Sequence, residues 1–530
     1  MNAARAAAAP ALAAASGLAV LVSHPPLSWW ALSFAAPALL LGALWLDAEA
    51  ARHLGRRPRA FRLGAVAGLT TFAPLLQWLI LPAGVLGWGL LVVIQAVWVG
   101  LLAALLRPAL AWRTLPLVTA VVWTGIDAWR ALLPLNGFEW GAIAYAHVDG
   151  SWLLPTARLL GGRGITFLVV LIGAAAAVAV RTTWRAVRAR GEGDLPDDLD
   201  RSTRIPLALL TGGLLASVLL TIEPPAEVGA VDILAVQGNE VRHWELEERE
   251  PDAPLRITTA LRDETLAAIE RDGPPELTIW PESSVDRDPY TARGAPLAAL
   301  ADEAAGASGR LLTGTALDGP DPATERLIAA LLLEDGFHEI DRYVKRRLVP
   351  FGEFIPFRPY LEWFPPLDQI PRDARPATDP QRLEVVDGVE AAVIICFETI
   401  FTDVVRTNVL AGGEPAQVVL TLTNDASFGD SAEPAQHLAQ SQLRAVETGR
   451  WVVHAALTGS SAFVSPDGAL SHETEVFTID SIRREVPLVE GWTPYLRTGD
   501  VLGWLTRAGV VALLLLVVWE VVRRRRTSGR

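Results

Sequence analysis

A helix that crosses a lipid bilayer needs about 20 mainly apolar residues, and this chain of 530 residues offers eight such stretches. They lie at roughly 9–23, 27–46, 63–82, 85–106, 114–134, 164–181, 205–222 and 501–521. Each commits its segment to a helix, because lipid offers no partner for unpaired backbone polar groups. The first is Ala-rich and ends at Ser23-His24-Pro25-Pro26. Its small residues Ala13–Ala15 also suit the core of a signal peptide, but another apolar run follows at once, which favours a short helical hairpin. From 223 to 500 the composition is that of a globular domain, roughly 280 residues long and large enough for its own core. The expected organisation is therefore a transmembrane domain over 1–222 with about seven spans and a catalytic domain over 223–500. A C-terminal transmembrane helix over 501–522 and a basic tail over 523–530 follow.

Arginine placement sets the orientation. The clusters are Arg52, Arg56, Arg57, Arg59 and Arg62; Arg107 and Arg113; Arg181, Arg185, Arg188 and Arg190; and Arg523–Arg526. Eight spans with a cytoplasmic N-terminus put all four on the cytoplasmic side of the inner membrane, so the 135–163 loop and the 223–500 domain face outward. A formal net charge of −13 argues against nucleic acid as a partner, because phosphate binding needs a basic face. The single cysteine, Cys396, rules out an internal disulfide or a multi-cysteine metal site. Only one of the 46 Lys+Arg residues is lysine, Lys345. Compositional bias explains the arginines; a site that needs a compact ammonium explains the one exception.

The outer domain reads as strands alternating with helices, which favours an α/β layered architecture. Strands are expected at 231–236, 277–280, 311–315, 326–334 and 338–343, with helices at 254–271 and 295–306. Glu282, Lys345 and Cys396 each sit just beyond a strand-like run, where a sheet holds side chains rigidly at a crevice. Each also has an ordinary reading: a buried small hydrophobe for the cysteine, a first-turn carboxylate for the glutamate, a surface charge for the lysine. Together they form a set for acyl transfer through a thioester. Cysteine attacks, glutamate takes its proton, and lysine stabilises the thiolate and the oxyanion.

The motifs Trp280-Pro281-Glu282-Ser283, Lys345 with Leu348–Glu353, Cys396-Phe397-Glu398 and Thr423–Asp430 resemble the carbon–nitrogen hydrolase (nitrilase) superfamily. The flanking spans, Gly137–Trp140, Gln436-His437 and Arg444–Glu447 narrow the resemblance to the apolipoprotein N-acyltransferases. That resemblance implies an αββα sandwich with catalytic Glu282, Lys345 and Cys396, and with Glu353, Phe397 and Glu398 around them. It implies a phospholipid acyl donor, a diacylglyceryl apolipoprotein acceptor, and no cofactor or metal. Trp244 is expected to line the acyl pocket. Ser427 stands where the family commonly has Trp, and Phe397 where it often has Tyr.

An acyltransferase must keep its thioester from water, and the aromatic segment 354–366, with Trp363 and Phe364, is read as a lid dipping into the outer leaflet. An ordinary packed loop is the alternative. His437 and His454 show no clustered ligand partners in the sequence, so no metal site is expected. Asn424-Asp425 reads as support for the cysteine loop, and Glu139 as a solvated charge in preference to a residue that meets a substrate amine. The rival function is a membrane-tethered amidase using the same three residues.

Overall fold

The computed structural model describes residues 2–55, 57–191, 199–239, 253–361 and 370–528. The chain forms two compact units, one of Met1–Gln77, Val85–Ile222 and Asp500–Arg530, the other of Trp78–Gly84 and Glu223–Gly499.

The first unit is helical. Its helices are α1 (Asn2–Ser23), α2 (Ala35–His53), α3 (Ala60–Leu75), α4 (Ile80–Leu106), α5 (Leu115–Arg130), α6 (Ala157–Gly191) and α7 (Leu199–Leu219), with a C-terminal helix Val501–Ser528. All eight apolar runs are thus helical. Four stretches among the described residues are long and apolar enough to cross a membrane: Trp30–His53, Gln77–Ala111, Leu154–Arg185 and Val501–Glu520. The helix α3 has 16 residues, about 24 Å of rise against roughly 30 Å of hydrocarbon. Glycines let the helices approach closely, as small residues do in membrane bundles. A Cβ on Gly64 of α3 would lie 2.3 Å from the Val99 carbonyl oxygen of α4. One on Gly125 of α5 would lie 2.5 Å from the Thr506 carbonyl oxygen.

Charge in apolar surroundings is costly unless it is paired. Buried Arg163 is 2.9 Å from Glu139 and 2.7 Å from Asp500. Glu139 is therefore not the solvated charge expected from its loop: it is 8% exposed and neutralised by an arginine.

The second unit carries two sheets. Its elements in chain order are β1 (Glu227–Gln237), α8 (Ala253–Asp272), β2 (Leu277–Val285), α9 (Ala295–Ser308), β3 (Arg310–Asp318), β4 (Glu325–Glu334) and β5 (His338–Val344). Next come α10 (Arg358–Leu361), β6 (Asp373–Ala374), β7 (Leu383–Val386), β8 (Val389–Ile395), α11 (Thr402–Val409), β9 (Val418–Thr423) and α12 (Glu433–Thr448). The last are β10 (Val452–Ala456), β11 (Ala462–Val464), β12 (Leu470–Ser471), β13 (Asp480–Val489) and α13 (Pro494–Thr498). One sheet runs β13-β1-β2-β3-β4-β5 with β6 paired to β4, the other β12-β11-β10-β9-β8-β7. The inner pairs β1/β2, β2/β3, β8/β9 and β9/β10 are parallel.

Strand alternation decides what each side chain packs against. In β8, Ala391, Val393 and Ile395 share a core with Ile233, Ile279 and Leu332 of the other sheet. The intervening Ala392 and Ile394 pack instead with Val405 and Val409 of α11 and Leu438 of α12. The outer face of the first sheet, through Leu234 and Val236, meets Ile257 and Leu261 of α8 and Leu297 of α9. Helix, sheet, sheet and helix thus stack as four layers, the expected αββα sandwich. Burying each such aliphatic side chain contributes about 1.5–3 kcal/mol, which makes the rigid frame on which the strand-end residues stand.

Candidate active site

Glu282, Lys345 and Cys396 are delivered by three different strands. The strand carrying Glu282 does not stop at Pro281, as its sequence suggests, but continues to Val285. Its pairing with β3 shifts between Trp280 and Val285, because proline has no N–H to give the ladder. Ser283 follows with a left-handed φ of 62°, so Glu282 sits in an irregularity that re-aims its side chain. Lys345 is the first residue after β5. Its backbone is held on both sides, N–H to the Ile328 carbonyl at 2.9 Å and carbonyl from the Ala377 N–H at 3.0 Å. Cys396 follows β8 directly and opens a short 3-10 turn with a φ of 50°, an uncommon conformation for a residue with a side chain.

The lysine is fully buried and answers two carboxylates. Its Nζ donates to Glu282 Oε1 at 3.0 Å and also to Glu353 Oε1. Glu353 is fixed in turn by the Val349 N–H, 2.9 Å from Oε2. Burial alone would push the ammonium down, but Glu282 and Glu353 outweigh it and hold Lys345 well above the usual lysine range. Burial pushes the Cys396 thiol well up, and Glu282 adds to this; Lys345 and a hydrogen bond with Thr423 oppose it. The resting cysteine is therefore a thiol, beside a base that can take its proton and a cation that can hold negative charge.

Glu398 ties the lysine loop to the cysteine turn. Its carboxylate accepts from the N–H groups of Ile395 at 2.9 Å, Arg346 at 2.7 Å and Arg347 at 3.1 Å. It also accepts from the Tyr343 hydroxyl at 2.8 Å, which receives a hydrogen bond from Asn408 Nδ2 at 3.0 Å. Burial raises the Glu398 carboxyl, while these backbone donors and the Lys345 charge pull it back. Phe397 is buried with its ring edge-on to Phe401, centroids 5.1 Å apart. The geometry thus unites Glu282, Lys345, Glu353, Phe397 and Glu398 with Cys396. Trp244 and Trp363 lie outside the described residues. Of the aromatic segment, Phe357 and Tyr360 are exposed, and Arg358 braces it through Asp373 at 2.8 Å.

Two residues with no assigned place in the sequence reading stand close to the nucleophile. His437 of α12 and His454 of β10 are buried together with Asp425, their potential ligand atoms all within 4.8 Å. This corrects the expectation that the two histidines have no clustered ligand partners: α12 packs across β9 and β10, and sequence distance hides it. His437 Nδ1 is 3.1 Å from Asp425 Oδ1 and its Nε2 is 3.2 Å from the Cys396 carbonyl oxygen. His454 bonds Ser441 Oγ through Nδ1 at 2.9 Å, and burial and the His437 ring lower its pKa to about 3. Ser427 is exposed. Its neighbour Phe428 meets Trp78 edge-on at 4.9 Å, and the Trp78 indole donates to Gln436 at 3.3 Å.

Known proteins match this chain in two blocks. Residues 16–175 match the Apolipoprotein N-acyltransferase N-terminal domain, and residues 259–489 match the Carbon-nitrogen hydrolase family. The Apolipoprotein N-acyltransferase of Mycolicibacterium smegmatis is 30% identical over 521 residues, covering 95% of this chain and 84% of that protein. That of Geobacter metallireducens is 29% identical over 536 residues, covering 95% and 94%. A solved mutant of the Nesterenkonia AN1 amidase from the nitrilase superfamily aligns with 52% of this chain and 95% of its own, at 19% identity and a TM-score of 0.36. With both family domains in order along the chain, and relatives alike over nearly its whole length, this chain belongs to the apolipoprotein N-acyltransferase family.

Proposed function

We propose that the chain moves an acyl group from a membrane phospholipid onto Cys396, and from that thioester to the α-amino group of a diacylglyceryl-cysteine on an apolipoprotein. The observation that carries this reading is one buried ammonium, Lys345, held by Glu282 and Glu353 within electrostatic reach of the one cysteine. Glu282 takes the thiol proton as sulfur attacks the ester carbonyl, and Lys345 holds the oxyanion. Collapse breaks the carbonyl–oxygen bond. The leaving lysophospholipid hydroxyl receives the proton from Glu282, leaving the thioester. The acceptor amine then attacks the thioester, Glu282 takes the amine proton, and expulsion of the sulfur with return of that proton restores the thiol. Glu353 fixes the lysine and Glu398 fixes both loops.

The test is incubation of the purified chain with phospholipid labelled in its acyl group. Label should appear on the wild type, be absent from Cys396→Ala, and be discharged by a diacylglyceryl peptide. Absence of labelled protein, with ammonia released from simple amides, would establish an amidase instead.

A further inference from the structure

Four side chains with no part in the acyl-transfer steps meet beside the Cys396 turn. Glu433 and His437 stand four residues apart on α12, which puts them on one face of the helix. Asp425 lies two residues past β9, and His454 of β10 is in parallel register with Thr421 of β9. All four are at most 1% exposed. Asp425, His437 and His454 each bring a potential ligand atom within 4.8 Å of the other two. Glu433 adds a carboxylate oxygen 3.7 Å from His437 Nδ1.

Hydrogen bonds within the protein do not satisfy this group. Asp425 Oδ1 accepts from the Thr423 hydroxyl at 3.0 Å and lies 3.1 Å from His437 Nδ1, which is itself 3.3 Å from that hydroxyl. Asp425 Oδ2, Glu433 Oε2 and His454 Nε2 have no hydrogen-bond partner among the described residues. Buried polar atoms are otherwise nearly always paired, and an unpaired one points to a water or an ion. Buried charges, in turn, are paired or coordinate metals. Among the described residues, neither Asp425 nor Glu433 forms an ion pair with lysine or arginine.

We propose that Asp425, Glu433, His437 and His454 bind a divalent transition-metal ion, with zinc the best chemical match. Imidazole and carboxylate are both zinc donors, and atoms about 2.0–2.2 Å from a tetrahedral ion stand roughly 3.3–3.6 Å apart. The distances from His437 Nδ1 to Asp425 and Glu433, 3.1 and 3.7 Å, bracket that spacing. Each imidazole also has the outer partner that aligns a metal-bound ring. His437 Nε2 is 3.2 Å from the Cys396 carbonyl oxygen, and His454 Nδ1 is 2.9 Å from Ser441 Oγ. The coordinating atoms are then His437 Nδ1 and His454 Nε2. Four protein donors close the coordination shell, so the role is structural and not catalytic. Such a site ties α12 to β10 and to the residues after β9, and steadies the ring that touches the nucleophile's backbone.

The full chain, purified in detergent through a tag without histidines, is stripped with a chelator, reloaded with zinc, desalted and measured by plasma mass spectrometry. About one zinc per chain is expected in the wild type and in Cys396→Ala. His454→Phe and Asp425→Asn should retain at least about tenfold less, with thermal melting to establish folding. His472→Gln, which removes a histidine outside the group, should keep the wild-type content. A wild type that retains no zinc overturns the proposal, as does equal zinc in folded His454→Phe and Asp425→Asn. Loss of zinc from Cys396→Ala or His472→Gln places the metal elsewhere and overturns it too. Should neither ligand variant fold, cobalt loaded into the stripped wild type and Cys396→Ala carries the test. Visible bands of tetrahedral cobalt with nitrogen and oxygen donors, and no thiolate charge-transfer band, are expected in both. Their absence overturns the proposal.

Discussion

At the scale of single residues, Lys345 has little room for substitution. Its Nζ serves Glu282 and Glu353 together, and the side chain is 0% exposed. An arginine would keep the charge but replace a compact ammonium with a planar fork. Lys345→Arg is therefore expected to lose at least 100-fold in the rate of Cys396 acylation, the scale of a lost oxyanion contact. Single-turnover labelling checks this, and near-wild-type rates would mean that the lone lysine is an accident of composition. The three central residues were legible in the sequence because each follows an apolar strand-length run and carries chemistry rare elsewhere in the chain. His437 was not legible. Nothing in a helical sequence says that one ring will reach a carbonyl 41 residues away.

At the scale of elements, the placement of Glu282 depends on a neighbour without a side chain. A Cβ on Gly314 of β3 would lie 2.4 Å from the Pro281 carbonyl oxygen and 2.6 Å from Glu282 Cα. Those contacts are to backbone, so the irregular stretch of β2 would have to move. Gly314→Ala should cost about 1–3 kcal/mol of stability and lower Cys396 acylation at least tenfold, because a displacement near 1 Å is enough for such losses. Melting and single-turnover labelling measured together check it; full activity would show that Glu282 tolerates the shift. The strands were readable from short apolar runs, since both faces of β8 and β9 are buried. Their ends were less so. Proline reads as a strand stop, but here pairing resumes at Val285 because the neighbouring strand supplies the ladder.

At the scale of the molecule, the eight apolar runs are helical among the described residues, where length and composition alone qualify four stretches as spans. The remainder are shorter or carry charge that only packing can pair, which a hydropathy reading does not see. We propose eight spans, with the arginine clusters on the cytoplasmic side of the inner membrane and residues 223–500 outside. In right-side-out vesicles of the Cys396→Ala chain, an impermeant maleimide should label Asp467→Cys at once, and Ser528→Cys only after permeabilisation. The reverse pattern would invert the topology.

The burial of the one lysine has a further meaning for an enzyme that works through an amine-reactive bond. A thioester acylates any free amine it meets, and an ordinary protein surface is studded with lysine amines. This surface has none, since the single lysine of the sequence is fully enclosed. Its two carboxylates also hold that lysine well above the usual range, so in the proposed mechanism it has no lone pair with which to capture an acyl group on Cys396. Along its side chains the catalyst offers its own intermediate no acceptor, and the acyl group waits for an amine brought from outside.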